Sequence, residues 1–452
     1  MAILPNPLVY PIYLMPPLAH SLLGTALPAD LHRSRATVHI VGGGISGLML
    51  AYQLHRRSIP IILYERSERV GGWLSTRQSL YGMVEGAANG LMRCIELDAM
   101  VADLGLAYQM PSPAQAKRYI VRDGQLRRMP LGIGEILRAA ARFLLPHRPA
   151  KPLATLRDFA DTYLSSVAAL QLLEPAMLGI YAAPLNELSF PLVLPDLARV
   201  QPRYASLPWA MLVDSDYRRR HRTTTGGTVS FAGGMQSLID ALERRLQAHI
   251  RYNTDGINNL DNIAPHDVRV LCTPAYESAR FFGQHPLANL LRQVRYTPML
   301  SATFFVAQEA LKRFKAGFGC VIPRNESYHT LGILFNHCIF EGRVAQPHLA
   351  SLTCIAQDST ATQHLDEAGI LDLLTNELER LLGLDAPPLH SILHRYRYGI
   401  PLYSPELNEL LPQISAHLQR DWANVRLFGN YTGQISIRGM GQSAARATEH
   451  ID

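Results

Sequence analysis

Three glycines near the start of the chain could hold the phosphates of a dinucleotide. Gly42, Gly44 and Gly47 form a G-x-G-x-x-G pattern between a short apolar run and a helical pattern. The first glycine permits a tight turn, the second lets backbone N–H groups approach a pyrophosphate, and the third lets the helix pack on the strand. The N-terminus of this helix, which contains Ile45 and Ser46, adds a partial positive charge. The segment therefore predicts a dinucleotide site.

An acidic residue follows at the position where the ribose of a dinucleotide would lie. The carboxylate of Glu65, at the end of the second predicted strand, could accept hydrogen bonds from both ribose hydroxyls. Its charge would repel a 2′-phosphate, so the pattern favours FAD or NAD over NADP. Arg66 and Arg69 then add positive charge near the phosphates, and Gly71 and Gly72 offer a second close backbone approach. Nicotinamide-binding units rarely carry this second glycine pair, which favours FAD.

The chain is long enough for two or three lobes around a shared site. Its 452 residues are 48% hydrophobic and 18% charged, which is typical of a globular protein. The formal net charge of +6 is compatible with nucleic acid, anionic lipid or acidic substrates and does not choose between them. The five cysteines have no paired spacing, so we expect a reducing compartment and neither a disulfide framework nor a zinc site.

Residues 1–35 form an apolar N-terminal extension that is rich in proline. The first charged residue is Asp30, so the positive segment that begins a signal peptide is missing. Pro16 and Pro17 interrupt the apolar run, which disfavours a membrane-spanning helix. The pattern predicts a loosely ordered or membrane-surface extension, with the fold beginning near Ala36.

Several segments, taken in order, give the chain a resemblance to the FAD-dependent protoporphyrinogen oxidases, within the amine-oxidase-like flavoprotein superfamily. They include RVGGWLST after the acid, LGIYAAPLNELSFPLVLPDL, FAGGMQSLIDAL, LCTPAYESARFF, KAGFGCVIPRNE and RLFGNYTGQISIRGMGQ. The resemblance runs from about Ala36 to the end of the chain. The segments that begin at Leu178 and Gly317 are its most specific parts.

The resemblance implies an α/β fold in three interleaved parts. A discontinuous, Rossmann-like FAD-binding domain would comprise residues 36–110, 225–275 and 421–452, a mostly helical membrane-binding lobe residues 111–224, and an α+β substrate domain residues 276–420. Short apolar runs near 268–272 and 425–428 suit strands that return to one doubly wound sheet.

The resemblance also implies further cofactor contacts. Gly256 would lie near the adenine, Gly429, Asn430 and Gly433 near the pyrophosphate and ribityl chain, and Ser436 and Ile437 at the start of the last helix, near the flavin ring. A helix N-terminus suits the negative charge that develops at N1–O2 of a reduced flavin.

The reaction that the resemblance implies is oxidation of a porphyrinogen, either protoporphyrinogen IX or coproporphyrinogen III, to the porphyrin in haem biosynthesis. FAD would accept hydride at N5 and O₂ would reoxidise it, so no protein side chain is predicted as a catalyst. Phe318 and Val321 would contact the macrocycle faces, and Arg93 would pair with a propionate. No metal is expected.

Two basic segments could favour a membrane or a nucleic acid. Residues 131–145 have the apolar spacing of an amphipathic helix in a basic surrounding, which suits either an anionic membrane surface or burial in the core. The resemblance favours the membrane, and with it a cytoplasmic, peripherally associated protein that could be a homodimer. The run RRRHR at 218–222 lacks interleaved aromatics, so we expect a solvated loop or anion-facing patch and no nucleic-acid partner.

Four departures from the family pattern leave alternatives open. EGAANGLMRC replaces a Gly-Pro segment after Glu85, and only a short linker follows Ile257 where extra strands are usual. Gly256 replaces a residue such as valine, and Arg438-Gly439 replaces an Asp-Cys pair. The chain could therefore be another amine-oxidase-like FAD oxidoreductase, such as an amine oxidase or a desaturase, or a diverged non-catalytic homologue.

Overall fold

A computed structural model describes residues 22–24, 26–113, 117–128, 131–147, 149, 151–215, 217, 228–259, 263–433 and 435–451. The described residues combine helices with two large sheets, in agreement with the predicted α/β class. The basic run at 218–222 lies outside them.

The strands are, in chain order, β1 Leu22–Leu23, β2 Val38–Val41, β3 Ile61–Tyr64, β4 Thr76–Gln78, β5 Met83–Glu85, β6 Leu91–Met92, β7 Arg118–Arg122, β8 Gln125–Arg127, β9 Thr228–Val229, β10 Ile250–Arg251, β11 Val268–Leu271, β12 Tyr296–Ala307, β13 Gly319–Val321, β14 Thr330–Phe335, β15 Leu349–Gln357, β16 His390–Pro401 and β17 Val425–Phe428.

The α-helices are α1 Leu31–Ser34, α2 Ile45–Arg56, α3 Ile95–Asp103, α4 Ile133–Leu144, α5 Leu156–Tyr163, α6 Ser166–Ala168, α7 Glu174–Tyr181, α8 Phe190–Val193, α9 Pro195–Val200, α10 Leu207–Val213, α11 Gln236–Leu246, α12 Gly256–Asn259, α13 Ala275–Phe281, α14 Pro286–Arg292, α15 Asn336–Ile339, α16 Glu367–Leu382, α17 Pro405–Asp421 and α18 Ile437–Thr448. A π-helical turn, Ala169–Leu173, joins α6 to α7. Short 3-10 helices cover Gln201–Arg203, Gln247–His249, Gln308–Ala310 and Arg324–Glu326.

The first sheet is the predicted Rossmann-like core. Its strand order is β1-β17-β11-β2-β3-β10, with all neighbours parallel except the edge pair β1–β17. One face buries side chains against α2, α3, α11 and α18, and the other against α13, α14, α17 and part of the helical lobe. Apolar strands buried on both faces are typical of a parallel sheet covered by helices.

The fold begins earlier in the chain than the sequence predicted. Leu22 and Leu23 pair with Phe428 and Leu427 at the edge of the first sheet. Leu31, in α1, is fully buried in the same core. The fold therefore begins before Ala36, and the described part of the predicted extension is an integral part of this sheet.

The second sheet belongs to the predicted substrate domain. Its strand order is β16-β12-β15-β14-β13-β7-β8, and one of its faces packs on α16. Strands β7 and β8 come from residues that the sequence assigned to the helical lobe. The lobe therefore does not begin at residue 111, because the hairpin of Arg118–Arg127 extends this sheet through β13.

The lobe between the two sheets is helical from α4 to α10, as predicted. Helix α4 has no buried residue, although eight of its 12 residues are alanine, isoleucine, leucine or phenylalanine. No helix in the described ranges is long and apolar enough to cross a membrane.

A buried polar triad lies at the start of β11, after the short linker that follows α12. No strand occurs in the described residues between α12 and β11. His39 Nδ1 lies 2.9 Å from the Tyr64 hydroxyl, and its Nε2 lies 3.1 Å from Asp267 Oδ2. Asp267 Oδ1 accepts a 2.8 Å hydrogen bond from the Thr37 N–H. The triad therefore joins β2, β3 and the start of β11.

We expect Asp267→Ala to lower the free energy of unfolding by about 2–3 kcal/mol, because it leaves His39 Nε2 and the Thr37 N–H without their partner in a buried site. Urea unfolding followed by circular dichroism would measure this loss. Asp30→Ala, which removes an exposed carboxylate, is the control and should change stability by less than about 0.5 kcal/mol. Equal stabilities of the two variants would contradict the structural role of the triad.

Candidate functional site

The glycine turn between β2 and α2 has the geometry of a phosphate cradle. Gly42 has φ +103°, a conformation that favours glycine. A Cβ atom on Gly47 would overlap the carbonyl oxygen of Gly42, so this residue must be glycine for α2 to pack on β2. A Cβ on Gly44 would have no atom within 4 Å. The turn therefore leaves open space at the N-terminus of α2, where a phosphate group fits.

The second glycine pair lies directly against the first turn. The Gly71 N–H donates a 2.8 Å hydrogen bond to the Gly43 carbonyl, and Gly71 and Gly72 both have positive φ. The Arg69 guanidinium donates to the Gly72 carbonyl at 2.8 Å. The structure thus brings together two turns that the sequence separates by more than twenty residues.

The carboxylate of Glu65 is fixed at the edge of the first sheet. Its Oε2 accepts a 2.8 Å hydrogen bond from the Gly43 N–H, and its Oε1 accepts from the Ser67 N–H and hydroxyl at 2.9 and 2.8 Å. A carboxylate has about four acceptor positions, so about one remains for a ribose hydroxyl. Arg66 is exposed and pairs with Glu277 at 3.3 Å, so its predicted cofactor contact remains a prediction.

Gly256 lies beside Glu65, but packing explains why it is a glycine. The Thr254 N–H donates to the Glu65 carbonyl at 2.9 Å, which aligns this segment with the end of β3. A Cβ on Gly256 would lie 2.6 Å from Tyr64 Cβ and 3.0 Å from Val41 Cγ1. The space that a valine would need is occupied by Tyr64, so the glycine is matched to its surroundings.

The last segment of the chain returns to the glycine turn. Ser46 Oγ lies 2.8 Å from Met440 Sδ, which places α18 against α2. A Cβ on Gly433, which has φ +122°, would meet no atom within 4 Å. Ser436 caps α18, since its hydroxyl oxygen accepts a hydrogen bond from the Gly439 N–H at 3.0 Å. Open space at a glycine and the N-terminus of α18 therefore occur together here, in the segment that contains the predicted contacts Gly429, Asn430 and Ile437.

An aromatic pair that the sequence did not identify joins the second sheet to this site. The Tyr396 hydroxyl, on β16, donates to the Gly86 carbonyl. The ring of Trp73 meets the Tyr396 ring edge-on at 4.7 Å between centroids. Burial raises the pKa of Tyr396 to about 12, so the hydroxyl remains a donor at neutral pH. The only sequence signal was the position of Trp73 directly after the glycine pair.

The structure also contains a buried ion pair that the sequence did not predict. Glu85 Oε1 lies 2.6 Å from an Arg343 guanidinium nitrogen, and each side chain is only 2% exposed. Glu85 also accepts hydrogen bonds from the Met235 N–H and the Thr76 hydroxyl, and Arg343 donates to the Ser230 hydroxyl at 2.6 Å. The pair therefore connects β5 to the start of α11 and to the segment after α15.

The predicted substrate residues lie in different parts of the structure. Val321, on β13, faces α7, where a Cβ on Gly179 would lie 3.4 Å from Val321 Cγ1. The Phe318 ring lies 4.6 Å from the Arg118 guanidinium. Arg93 instead pairs with both oxygens of Asp98 at 2.9 and 3.0 Å, at the start of α3. The guanidinium has further N–H donors, so the predicted contact of Arg93 with a propionate remains a prediction.

Comparison with known proteins agrees with this geometry. The model of the family described as flavin containing amine oxidoreductase matches residues 45–451. Protoporphyrinogen oxidase 2 of Arabidopsis thaliana is 27% identical and covers 92% of this chain and 93% of its own. Coproporphyrinogen III oxidase of Bacillus subtilis (strain 168) is 22% identical and covers 89% of this chain and 94% of its own.

Two solved structures have a similar fold. A candidate protoporphyrinogen oxidase from Exiguobacterium sp. 255-15 aligns with a TM-score of 0.72 at 20% identity, over 92% of this chain and 98% of its own. Reduced UDP-galactopyranose mutase aligns with a TM-score of 0.68 at 13% identity, over 92% of this chain and 95% of its own. At these identities the likeness shows the fold alone.

We expect Gly256→Val to destabilise the apoprotein by about 1–3 kcal/mol, because the new side chain would overlap Tyr64. The urea unfolding midpoint of the flavin-free protein measures this effect. Gly134→Val is the control, since a Cβ on Gly134 in the exposed α4 meets no atom within 4 Å. A Gly256→Val protein that was as stable as the wild type and bound FAD more tightly would show instead that the glycine leaves an adenine contact unfilled.

Proposed function

The chain belongs to the flavin-containing amine oxidoreductase family and is an FAD-dependent oxidase, and we propose that it oxidises a porphyrinogen to the porphyrin with O₂ as the electron acceptor. One observation carries this proposal. Relatives named for two different porphyrinogens align over nine-tenths of the chain, including the second sheet and the helical lobe as well as the glycine turn.

The residues of the glycine turns are suited to hold FAD. We assign the pyrophosphate to Gly44, Gly71 and Gly72, and the ribose to Glu65. We assign the ribityl chain and flavin ring to Gly433 and to the start of α18 at Ser436. Open space at Gly44 and Gly433 and the fixed carboxylate support these assignments. The bound FAD supplies the hydride acceptor, and the chain orients the ring and excludes water.

The substrate would lie between the second sheet and the helical lobe. Phe318 and Val321 offer apolar contact to a flat macrocycle, and the glycine at 179 lets α7 approach β13 closely. The exposed guanidinium of Arg118, over the Phe318 ring, is better placed than Arg93 to bind a propionate next to that contact. Its electrostatic attraction would fix which edge of the macrocycle points outwards.

A second candidate function is amine oxidation. The edge-on pair of Trp73 and Tyr396 beside the glycine turns favours it, because two aromatic rings can hold a substrate ammonium group. This candidate predicts activity with amines and none with porphyrinogens.

The helical lobe would dock on an anionic membrane. Its exposed apolar side chains include Ile133 (81% exposed) and Leu137 (65%) on α4, and Trp209 (60%) and Leu212 (66%) on α10. The side chains of Arg138 and Arg142, on the same helix α4, are also exposed. Apolar insertion combined with basic side chains favours binding to anionic lipid.

We expect the purified protein to show flavin absorption and to convert anaerobically prepared protoporphyrinogen IX or coproporphyrinogen III to porphyrin when air is admitted. Porphyrin fluorescence measures the rate, and comparison of the two substrates identifies the preferred one. Flavin absorption with a porphyrin rate equal to spontaneous oxidation would refute porphyrinogen oxidation, and turnover of amines would then support the second candidate.

Gly44→Val is the matched cofactor variant in this experiment. It should lose flavin because its side chain would fill the open space at the turn, whereas Gly134→Val should retain it. Retention of flavin by Gly44→Val would refute the assignment of the pyrophosphate.

We expect the protein to sediment with vesicles that contain phosphatidylglycerol and much less with pure phosphatidylcholine vesicles. Combining Leu137→Glu with Leu212→Glu should weaken the binding at least tenfold, because both charges would enter the membrane surface. Leu389→Glu, at an apolar side chain that is 49% exposed outside the helical lobe, is the matched control and should bind as the wild type does. Equal binding of all three proteins would assign membrane association to another surface.

A further inference from the structure

A recess lies at the junction between the first sheet's helices and the second sheet. It has a volume of about 360 Å³ and is lined by Tyr276, Arg292, Val294, Arg295, Tyr296 and Tyr398. These residues come from α13, from the segment that runs from the end of α14 to the start of β12, and from β16. None of them belongs to the residues assigned to FAD or to the porphyrinogen. A volume of this size is in the lower range of small-ligand sites.

Three tyrosine rings form an aromatic corner in this recess. The rings of Tyr276 and Tyr398 lie 4.3 Å apart between centroids, with 33° between their planes. Tyr296 is nearly perpendicular to both, at 79° and 85°. No hydrogen bond to the hydroxyl of Tyr276 or Tyr398 is formed by the described residues. The corner therefore offers a ring face, a ring edge and two available hydroxyls.

Positive charge surrounds the aromatic corner. Arg292 and Arg295 line the same wall, and the Arg397 guanidinium lies 5.5 Å from the Tyr398 ring centroid. Arg295 pairs with Glu406 at 3.2 Å, but both side chains are more than half exposed, so this pair contributes little and can be exchanged. The nearby Glu277 is engaged by two other arginines. The recess is thus suited to an anion.

We propose that this recess binds a planar aromatic carboxylate. The aromatic ring would pack against Tyr276 and Tyr398, and the carboxylate would pair with Arg292 and Arg295. A guanidinium binds a carboxylate through two parallel hydrogen bonds, which favours a flat, oriented anion over a mobile one. This site is independent of the proposed porphyrinogen reaction.

Calorimetric titration of the FAD-loaded, full-length protein tests the proposal with three related probes. Naphthoate carries both the ring and the charge, naphthylmethanol carries the ring alone, and cyclohexanecarboxylate carries the charge alone. We expect naphthoate to bind at least tenfold more tightly than either of the other two. Adenosine 5′-monophosphate, which combines an aromatic base with a phosphate, distinguishes a nucleotide site and should bind more weakly than naphthoate.

Two exposed substitutions locate the binding. Arg292→Gln and Tyr398→Ala should each weaken naphthoate binding at least tenfold. Arg324→Gln, which removes an exposed arginine outside the recess, should bind naphthoate as the wild type does. Since Arg292 is on the surface, its variant decides the question even if Tyr398→Ala fails to fold.

Several outcomes would overturn the proposal. These are absence of naphthoate binding, equal binding of naphthylmethanol, tighter binding of adenosine 5′-monophosphate, or unchanged binding to Arg292→Gln. Release of flavin during the titration, seen as a rise in free-flavin fluorescence, would mean that the probe competes with the cofactor, and would also reject a separate site. A protein that fails to oxidise porphyrinogens but binds naphthoate as described would leave this proposal intact.

Discussion

The buried pair of Glu85 and Arg343 is the constraint on which the relation between the two sheets depends. Removing either partner would leave an unpaired charge in a dry site, at a cost of about 3–5 kcal/mol. Glu85 also accepts hydrogen bonds from the Met235 N–H, directly before α11, and from the Thr76 hydroxyl, on β4 of the same hairpin. Arg343 follows α15 at the end of the second sheet. The pair therefore fixes the position of the hairpin β4–β5 relative to the two sheets.

The position of this hairpin determines the geometry of the candidate site. Glu85 is followed directly by Gly86, whose carbonyl accepts the hydrogen bond from Tyr396 on the second sheet. Trp73, which contacts Tyr396, directly follows the pair Gly71-Gly72, which lies against the glycine turn between β2 and α2. A shift of the hairpin would move all of these groups together. The ion pair thus couples the spacing of the sheets to the position of Trp73 and Tyr396 beside the glycine turns.

The sequence predicted the features that local patterns determine. The glycine turn, Glu65 and α4 each follow from spacing within a short segment, and the structure contains all three. Glu85 and Arg343 are 258 residues apart, so no periodicity could join them. Leu22 and Leu23 looked like part of an irregular extension because only pairing with β17 makes them a strand. Residue 256 is a glycine because the Tyr64 side chain lies close to it, and a sequence pattern does not show where that side chain lies.

The departures from the family pattern have different physical consequences. Gly256 is matched by the Tyr64 side chain, and the short linker is followed by the buried triad of His39, Tyr64 and Asp267. Neither departure adds a charge at the glycine turn. Arg438-Gly439 is different, because it places a cation in the first turn of α18, where the related segment has an acid. The helix N-terminus already carries partial positive charge, and the Gly439 N–H is held by the Ser436 cap. Both charges would therefore act in the same direction on an anionic group at this end of the helix.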